Sequence, residues 1–349
     1  MSTVDVVVPC YRYAHYLREC VHSVLSQEGV NLRVMIIDDA SPDNTPEIAR
    51  QLVSEDSRVS YTRHDKNKGH IATYNEGIEW VKASYYLLLS ADDYLLPGAL
   101  ARATALLDCY PNATFCYGNA LELQPDGTLL QVQTGMYPGK GMATHVVDSV
   151  SFFEMCQRCG SINIVPTPTA VVRTATQKRL DGYKPELQHS GDMELWLRLA
   201  THGFVGFIGD NQAVYRVHGE NMSLAYFGDS RLRDYRQRQA AIESAFQDCG
   251  DACVDTRLHK NRLLSRLALE AVRCASGALN AGNPPLATDL RMFARTVKPT
   301  IVFTTAWMRL MCKYALGPRM SRALLPMLQF FRKRAAALVP PFKQNTVRR

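Results

Sequence analysis

Four apolar runs in the first 90 residues, with helical patterns between them, restrict this chain more than any other feature. Residues 4–8 end in Pro9-Cys10-Tyr11, and residues 32–37 end in Asp38-Asp39-Ala40-Ser41-Pro42-Asp43. A short run follows at 59–62, and residues 85–89 end in Ser90-Ala91-Asp92-Asp93. Runs of this length bounded by turn signals read as buried strands. Between them lie helical patterns near 14–27, 46–53 and 71–83; the first puts Tyr16, Leu17, Val21, Val24 and Leu25 on one face. The order β-α-β-α-β-α-β predicts an α/β fold, a mostly parallel sheet wrapped by helices. Such sheets bind ligands outside the carboxyl ends of their strands, where the polar residues here fall.

Asp92 and Asp93 stand at that edge. Adjacent carboxylates repel each other unless something positive lies nearby. A divalent cation bridging a diphosphate answers that need, because hard cations take oxygen ligands. On its own the pair reads equally well as an exposed turn that caps the next helix.

Six short motifs, in order and at their expected spacing, resemble those of family 2 glycosyltransferases with the Rossmann-like GT-A fold. They are Val8-Pro9-Cys10-Tyr11; Ile37-Asp38-Asp39-Ala40-Ser41-Pro42-Asp43; Asn67-Lys68-Gly69 with Asn75-Glu76-Gly77; and Ser90-Ala91-Asp92-Asp93. Further on come Ser190-Gly191-Asp192-Met193-Glu194-Leu195-Trp196 and the stretch from Tyr215-Arg216-Val217-His218 to Ser223. The resemblance covers about residues 3–225. It implies a catalytic domain over 1–225 that holds a nucleotide diphosphate sugar, UDP-linked, with Mg2+ or Mn2+. It assigns Pro9, Tyr11, Asp39, Asn67, Gly69, Asp92 and Arg216 to the nucleotide sugar, with Tyr11 stacking on the base and Arg216 clamping phosphate. It assigns Asp92, Asp93 and His218 to the metal, and makes Asp192 the base of an inverting transfer to a hydroxyl. Each residue also has a plain structural reading: Tyr11 packed on a helix, Asp39 and Asp192 as caps, Asn67-Gly69 as an ordinary turn, His218 as a hydrogen-bonded residue. Two positions depart from the family pattern. Ser90 stands where many relatives carry Asp, and Gly191 where an acidic residue usually precedes the base.

Charge divides the chain. Residues 1–230 hold 18 Lys and Arg against 26 Asp and Glu, a net of −8; residues 231–349 hold 22 against 7, a net of +15. The second stretch predicts a basic α-helical extension over 226–349, with helices near 231–247, 257–279 and 285–297. Apolar and basic residues mix beyond it, including Trp307, Leu310, Met311, Leu324, Leu325, Leu328, Phe330, Phe331 and Arg332-Lys333-Arg334. No stretch reaches the roughly 18 apolar residues of a membrane span, so the pattern reads as a surface for an anionic membrane, or as a solvated basic domain. No nucleic-acid reader motif accompanies it. The ten cysteines form no framework, and Cys156-Gln157-Arg158-Cys159 has zinc-like spacing without a second pair. Met1-Ser2-Thr3 leads straight into the first strand, which reads as a chain with no leader, cytoplasmic or peripheral on the inner face of the membrane.

The reading that unites these features is a glycosyltransferase of cell-surface polysaccharide synthesis, acting on a glycan or lipid-linked acceptor. The rivals are a sugar nucleotidyltransferase, which needs a Gly-rich basic phosphate loop after the first strand, and a non-catalytic nucleotide- or glycan-binding module.

Overall fold

A computed structural model describes residues 1–131, 143–222, 226, 230–247, 255–317 and 320. The first half follows the expected alternation: β1 (Thr3–Cys10), α1 (Ala14–Leu25), β2 (Asn31–Asp38), α2 (Thr45–Glu55), β3 (Val59–Arg63), α3 (His70–Trp80) and β4 (Tyr85–Leu88). Next come β5 (Tyr94–Leu95), α4 (Ala99–Cys109), β6 (Ala113–Leu123), β7 (Leu129–Gln131) and β8 (His145–Val147). After α5 (Ser149–Arg158) come β9 (Val171–Arg173), α6 (Thr174–Leu180), α7 (Gly191–Ala200) and β10 (Phe204–Arg216).

These strands form one mixed sheet in the order β3-β2-β1-β4-β9-β6-β10-β5, with β7 on β6 and β8 on β10. The β1–β2, β2–β3, β1–β4 and β6–β10 pairs are parallel, whereas β9 runs antiparallel to both β4 and β6. The β3-β2-β1-β4 half is the one legible in the apolar runs. Its central strands are covered on both faces, so Val4, Val6, Val7 and Val8 are all buried.

Asp5 is the polar exception inside β1. Its carboxylate accepts both forks of Arg33 at 2.9 and 2.6 Å and the backbone N–H groups of Lys82 and Ala83 at 2.7 and 2.9 Å. A buried charge is tolerable when paired and bonded in this way, and here it ties the turn before β4 to β1. Helix α3 packs close over the same strand: a Cβ on Gly77 would lie 2.2 Å from Cγ1 of Val7. Only glycine lets the helix approach so near.

The chain divides into two compact units, residues 1–266 and 267–349. The boundary falls within a long helix, α9 (Thr256–Asn280), which follows α8 (Arg231–Ala245). Beyond it, α10 (Pro284–Val297), a 3-10 turn at Pro299–Phe303 and a helix over 305–317 belong to the second unit. Leu290, Phe293, Ile301 and Leu310 are buried there, and Lys313 binds Ser276 Oγ at 2.6 Å and Asn280 Oδ1 at 3.1 Å. No helix among the described residues is long and apolar enough to cross a membrane. Leu324, Leu325, Leu328, Phe330, Phe331 and the basic triplet at 332–334 lie outside the described residues, as does Ser223.

Candidate active site

The carboxyl ends of β1, β2 and β4 open onto a cavity of about 970 Å³. Pro9, Tyr11, Asp39, Asn67, Gly69, Asp92, Asp93 and Asp192 all line it. The chain leaves β1 and β2 through left-handed turns at Arg12 (φ 65°) and Ala40 (φ 59°). Such conformations are costly for non-glycine residues and gather at functional sites. Tyr11, beside the first of them, is 41% exposed rather than packed on a helix.

Asp39 organises the first corner. Its Oδ1 accepts the Lys68 N–H at 2.7 Å and lies 2.7 Å from Nδ1 of His64, and its Oδ2 accepts the Gly69 N–H at 2.9 Å. Asn67 Oδ1 shares the Gly69 N–H at 3.0 Å. A carboxylate offers about four lone-pair sites, so these bonds leave Asp39 room for one more donor. Gly69 takes φ 86°, in the region that favours glycine. Asp43, not Asp39, does the capping: it accepts from the N–H of Ala14 at 3.1 Å and that of Thr45 at 3.2 Å.

The second corner is the turn after β4. Asp93 is buried, and its Oδ1 accepts the Arg216 N–H at 3.0 Å. Burial, and then the neighbouring charge of Asp92, hold the Asp93 carboxyl well above the ordinary carboxylate range. Asp92 Oδ2 lies 3.0 Å from His218 Nε2, while Asp92 Oδ1 is buried with no partner. A buried, unpartnered carboxylate oxygen is costly, and a hard divalent cation is the ligand that suits it. The residues present therefore fit Mg2+ or Mn2+, with Asp92 as the group that would hold it. No cluster of three or more His, Cys, Asp or Glu forms a protein-only metal cage among the described residues. A cation that keeps waters and takes phosphate oxygens needs none.

Arg216 and His218 are occupied differently from the sequence expectation. Arg216 does not line the cavity. Its Nε donates to the Asp92 carbonyl at 2.9 Å and its Nη2 to Glu19 at 2.7 Å, with the guanidinium 4.4 Å from the Tyr16 ring centroid. Those contacts pin the Asp92–Asp93 turn. His218 Nδ1 accepts the Glu220 N–H at 3.2 Å, so a neutral ring carries its proton on Nε2 and donates to Asp92. In this arrangement His218 orients the Asp92 carboxylate. The Cys156–Cys159 pair lies on and just past α5, with Cys156 buried and its thiol pushed up by that burial.

The third corner carries Asp192. Ser190 stands at the N-cap position of α7, and Asp192 is in the first turn without capping it. Its Oδ2 accepts from Thr167 Oγ1 at 2.8 Å. Burial pushes its carboxyl above the ordinary range, against hydrogen bonds from Thr167 and Tyr183 and the nearby rings of His70 and His189. Tyr183 is held by Asn75 of α3, which accepts its N–H at 2.7 Å and donates to its carbonyl at 2.9 Å. The buried pair Glu194–Arg198 secures the same loop from α7: Arg198 donates to Glu194 at 2.8 and 2.9 Å and to the Gly182 carbonyl at 2.7 Å. Thr167 and Tyr183 were not foreseen. They come from turns with no periodicity, and only tertiary folding brings them to the carboxylate.

This mixed sheet with flanking helices, open at an edge lined by carboxylates, has the GT-A fold. Residues 5–149 match the family model described as glycosyl transferase family 2. The hyaluronan synthase of Pasteurella multocida is 24% identical over 229 residues, 64% of this chain. The chain spans only 21% of that relative's length. Among solved structures, S. aureus TarS 1-349 in complex with UDP-GlcNAc superimposes with a TM-score of 0.58 at 17% identity, covering 90% of this chain and 91% of that one. The mannosyltransferase PcManGT of Pyrobaculum calidifontis, in complex with GDP-Man and Mn2+, gives 0.51 at 18% identity, covering 88% and 84%. At such identities the structural likeness bears on the fold.

Proposed function

We propose that this chain transfers a sugar from a nucleotide diphosphate sugar, UDP-linked, to a hydroxyl of a glycan or lipid-linked acceptor, with inversion, in cell-surface polysaccharide synthesis. The observation that carries this reading is the pairing, in one cavity, of the orphaned Asp92 Oδ1 with the partly buried Asp192. Tyr11 and Asp39 take the base, Asn67 and Gly69 let backbone approach the ligand, and Asp92 faces the diphosphate. A bound Mg2+ or Mn2+ would neutralise charge developing on the departing diphosphate. Asp192 takes the acceptor hydroxyl's proton as that oxygen attacks the anomeric carbon and the carbon–oxygen bond to the diphosphate breaks. Two relatives in different positions agree with a nucleotide-sugar donor: TarS is seen with UDP-GlcNAc and PcManGT with GDP-Man.

A thermal-shift screen of nucleotide sugars tests the reading. UDP-linked sugars are expected to raise the melting temperature in Mn2+, and free monosaccharides to leave it unchanged. No shift with any nucleotide sugar would refute the function. The rival nucleotidyltransferase would need a basic Gly-rich loop after β1, and Cys10-Tyr11-Arg12 is not one. A non-catalytic module has no use for a carboxylate such as Asp192 held in the cavity by Thr167.

The second unit supports a peripheral membrane position. Phe303 is 82% exposed, and Met292 and Met308 are exposed near the exposed Arg295 and Arg309. Leu310, one of the apolar residues expected at such a surface, is buried and takes no part. Each Lys or Arg near an anionic leaflet contributes about 1 kcal/mol, and apolar side chains add burial. The full chain is expected to co-sediment with vesicles containing anionic lipid, to release in high salt, and to ignore neutral vesicles. Equal partition to both, or to neither, would leave the helices as a solvated or protein-binding surface.

A further inference from the structure

The described residues lining the cavity include many carboxylates, among them Asp39, Asp92, Asp93, Asp192, Glu122 and Glu220, but the permanent cations there are Arg12 and Arg233. The two arginines lie on different elements. Arg12 follows Tyr11 at the end of β1, beside Asp39 and the turn of β2, with its N–H on Ser41 Oγ at 3.1 Å. Arg233 lies on α8, and its guanidinium carbon is 4.8 Å from the centroid of the Tyr226 ring. Tyr226 in turn stacks on His189, with centroids 3.8 Å apart and planes at 9°. His189 is three residues before Asp192 and is fixed by Gln237 Oε1 on its N–H at 3.0 Å and by Asp234 Oδ1, 3.1 Å from its Nε2. Arg233 is thus mounted, through two stacked rings, on the segment that carries the base.

The Tyr226 ring, buried with His189 stacked on it, fixes where the Arg233 guanidinium sits. A guanidinium is the side chain best shaped to hold a carboxylate or phosphate by two hydrogen bonds. Asp234, the acidic neighbour on the same helix, is engaged by His189 and lies 3.6 Å from Arg238. It makes no ion pair with Arg233 among the described residues.

Resting on the transferase reading above, we propose that Arg233, with Tyr226 and His189, forms the acceptor subsite and selects an acceptor that bears an anionic group next to the attacking hydroxyl. The shared chemistry is a carboxylate or phosphodiester oxyanion, from a uronic acid unit or a phosphate-linked polyol. Arg12, and a divalent cation if Asp92 holds one, would serve the donor diphosphate.

Binding measurements on the full chain separate these ideas. The probes are a uronic-acid oligosaccharide, the same oligosaccharide with its carboxyls reduced to alcohols, a phosphate-linked polyol oligomer, and UDP with Mn2+. The expected result is that one anionic probe binds about tenfold or more tightly than the reduced oligosaccharide. Whichever anionic probe binds identifies the source. Arg233→Met is expected to erase that preference, Arg233→Lys to restore part of it, and both to leave UDP affinity unchanged. The proposal is overturned if neutral and anionic probes bind alike, if neither anionic probe binds, or if Arg233→Met weakens UDP. Failure of the native protein to bind UDP or any nucleotide sugar would instead remove the transferase reading beneath it.

Discussion

Asp192→Asn is expected to lower kcat by about 10²- to 10⁴-fold, the usual contribution of a positioned general base, while donor affinity stays near native. The amide keeps the shape and can still accept from Thr167 Oγ1, which is 2.8 Å from the native Oδ2, so the loss isolates proton transfer. The pH profile carries a second expectation. The base acts only when deprotonated, so activity falls as pH drops through its pKa, and burial places that limb above the ordinary carboxylate range. Thr167→Val removes a donor to the carboxylate and raises that pKa further. The acid limb of kcat/KM then moves to higher pH. Near-native turnover in Asp192→Asn would place the base elsewhere.

The other large effect concerns the cation. Asp92→Asn is expected to weaken Mn2+-dependent donor binding by about a hundredfold or more, because it removes the charge that a bound cation answers. Asp93→Asn should weaken it less, since the amide oxygen can still accept the Arg216 N–H that holds the turn. Chelation with EDTA should reproduce the Asp92 loss in the native protein. Donor affinity indifferent to EDTA would sink metal dependence altogether. Isothermal titration of UDP with and without Mn2+ reads both outcomes.

Much of the first half of the fold was legible because parallel strands buried on both faces write themselves as uninterrupted apolar runs. The 85–89 run and β4 (Tyr85–Leu88) differ by one residue. The second half was not read in this way. In β10 the run is broken by Gly209-Asp210-Asn211-Gln212, and the register against β6 shifts between Ile208 and Ala213. That irregularity hides a 13-residue strand. Pairing of β9 with both β4 and β6 depends on contacts distant in sequence, which no local pattern records.

The site divides along the same line. Residues at strand ends, such as Tyr11, Asp39 and Asp92, could be placed because the strand places them. Arg216 and His218 lay in a motif that located their backbone but not their partners. Glu19, on α1, is what draws the Arg216 guanidinium, and nothing near residue 216 announces it. Asp192 stood out in a motif, but the Thr167 and Tyr183 contacts to it, and the Arg233 contact to Tyr226, arise only in the folded chain.

Helix α3 has a consequence for how such an enzyme can vary. Its first turn follows the Asn67–Gly69 loop, His70 meets the Gln188 carbonyl at 2.9 Å, and Asn75 clamps Tyr183 near Asp192. Gly77 then seats the helix against Val7. One helix therefore spaces the Asn67–Gly69 loop from the segment that carries Tyr183 and Asp192. An added or lost residue would turn everything beyond it by about 100°, so one half of the machinery would keep its place only if the other lost it. Length changes are barred from this stretch. Divergence in what the enzyme joins must come through side-chain exchange and through segments that α3 does not gauge, such as the one leading into α8.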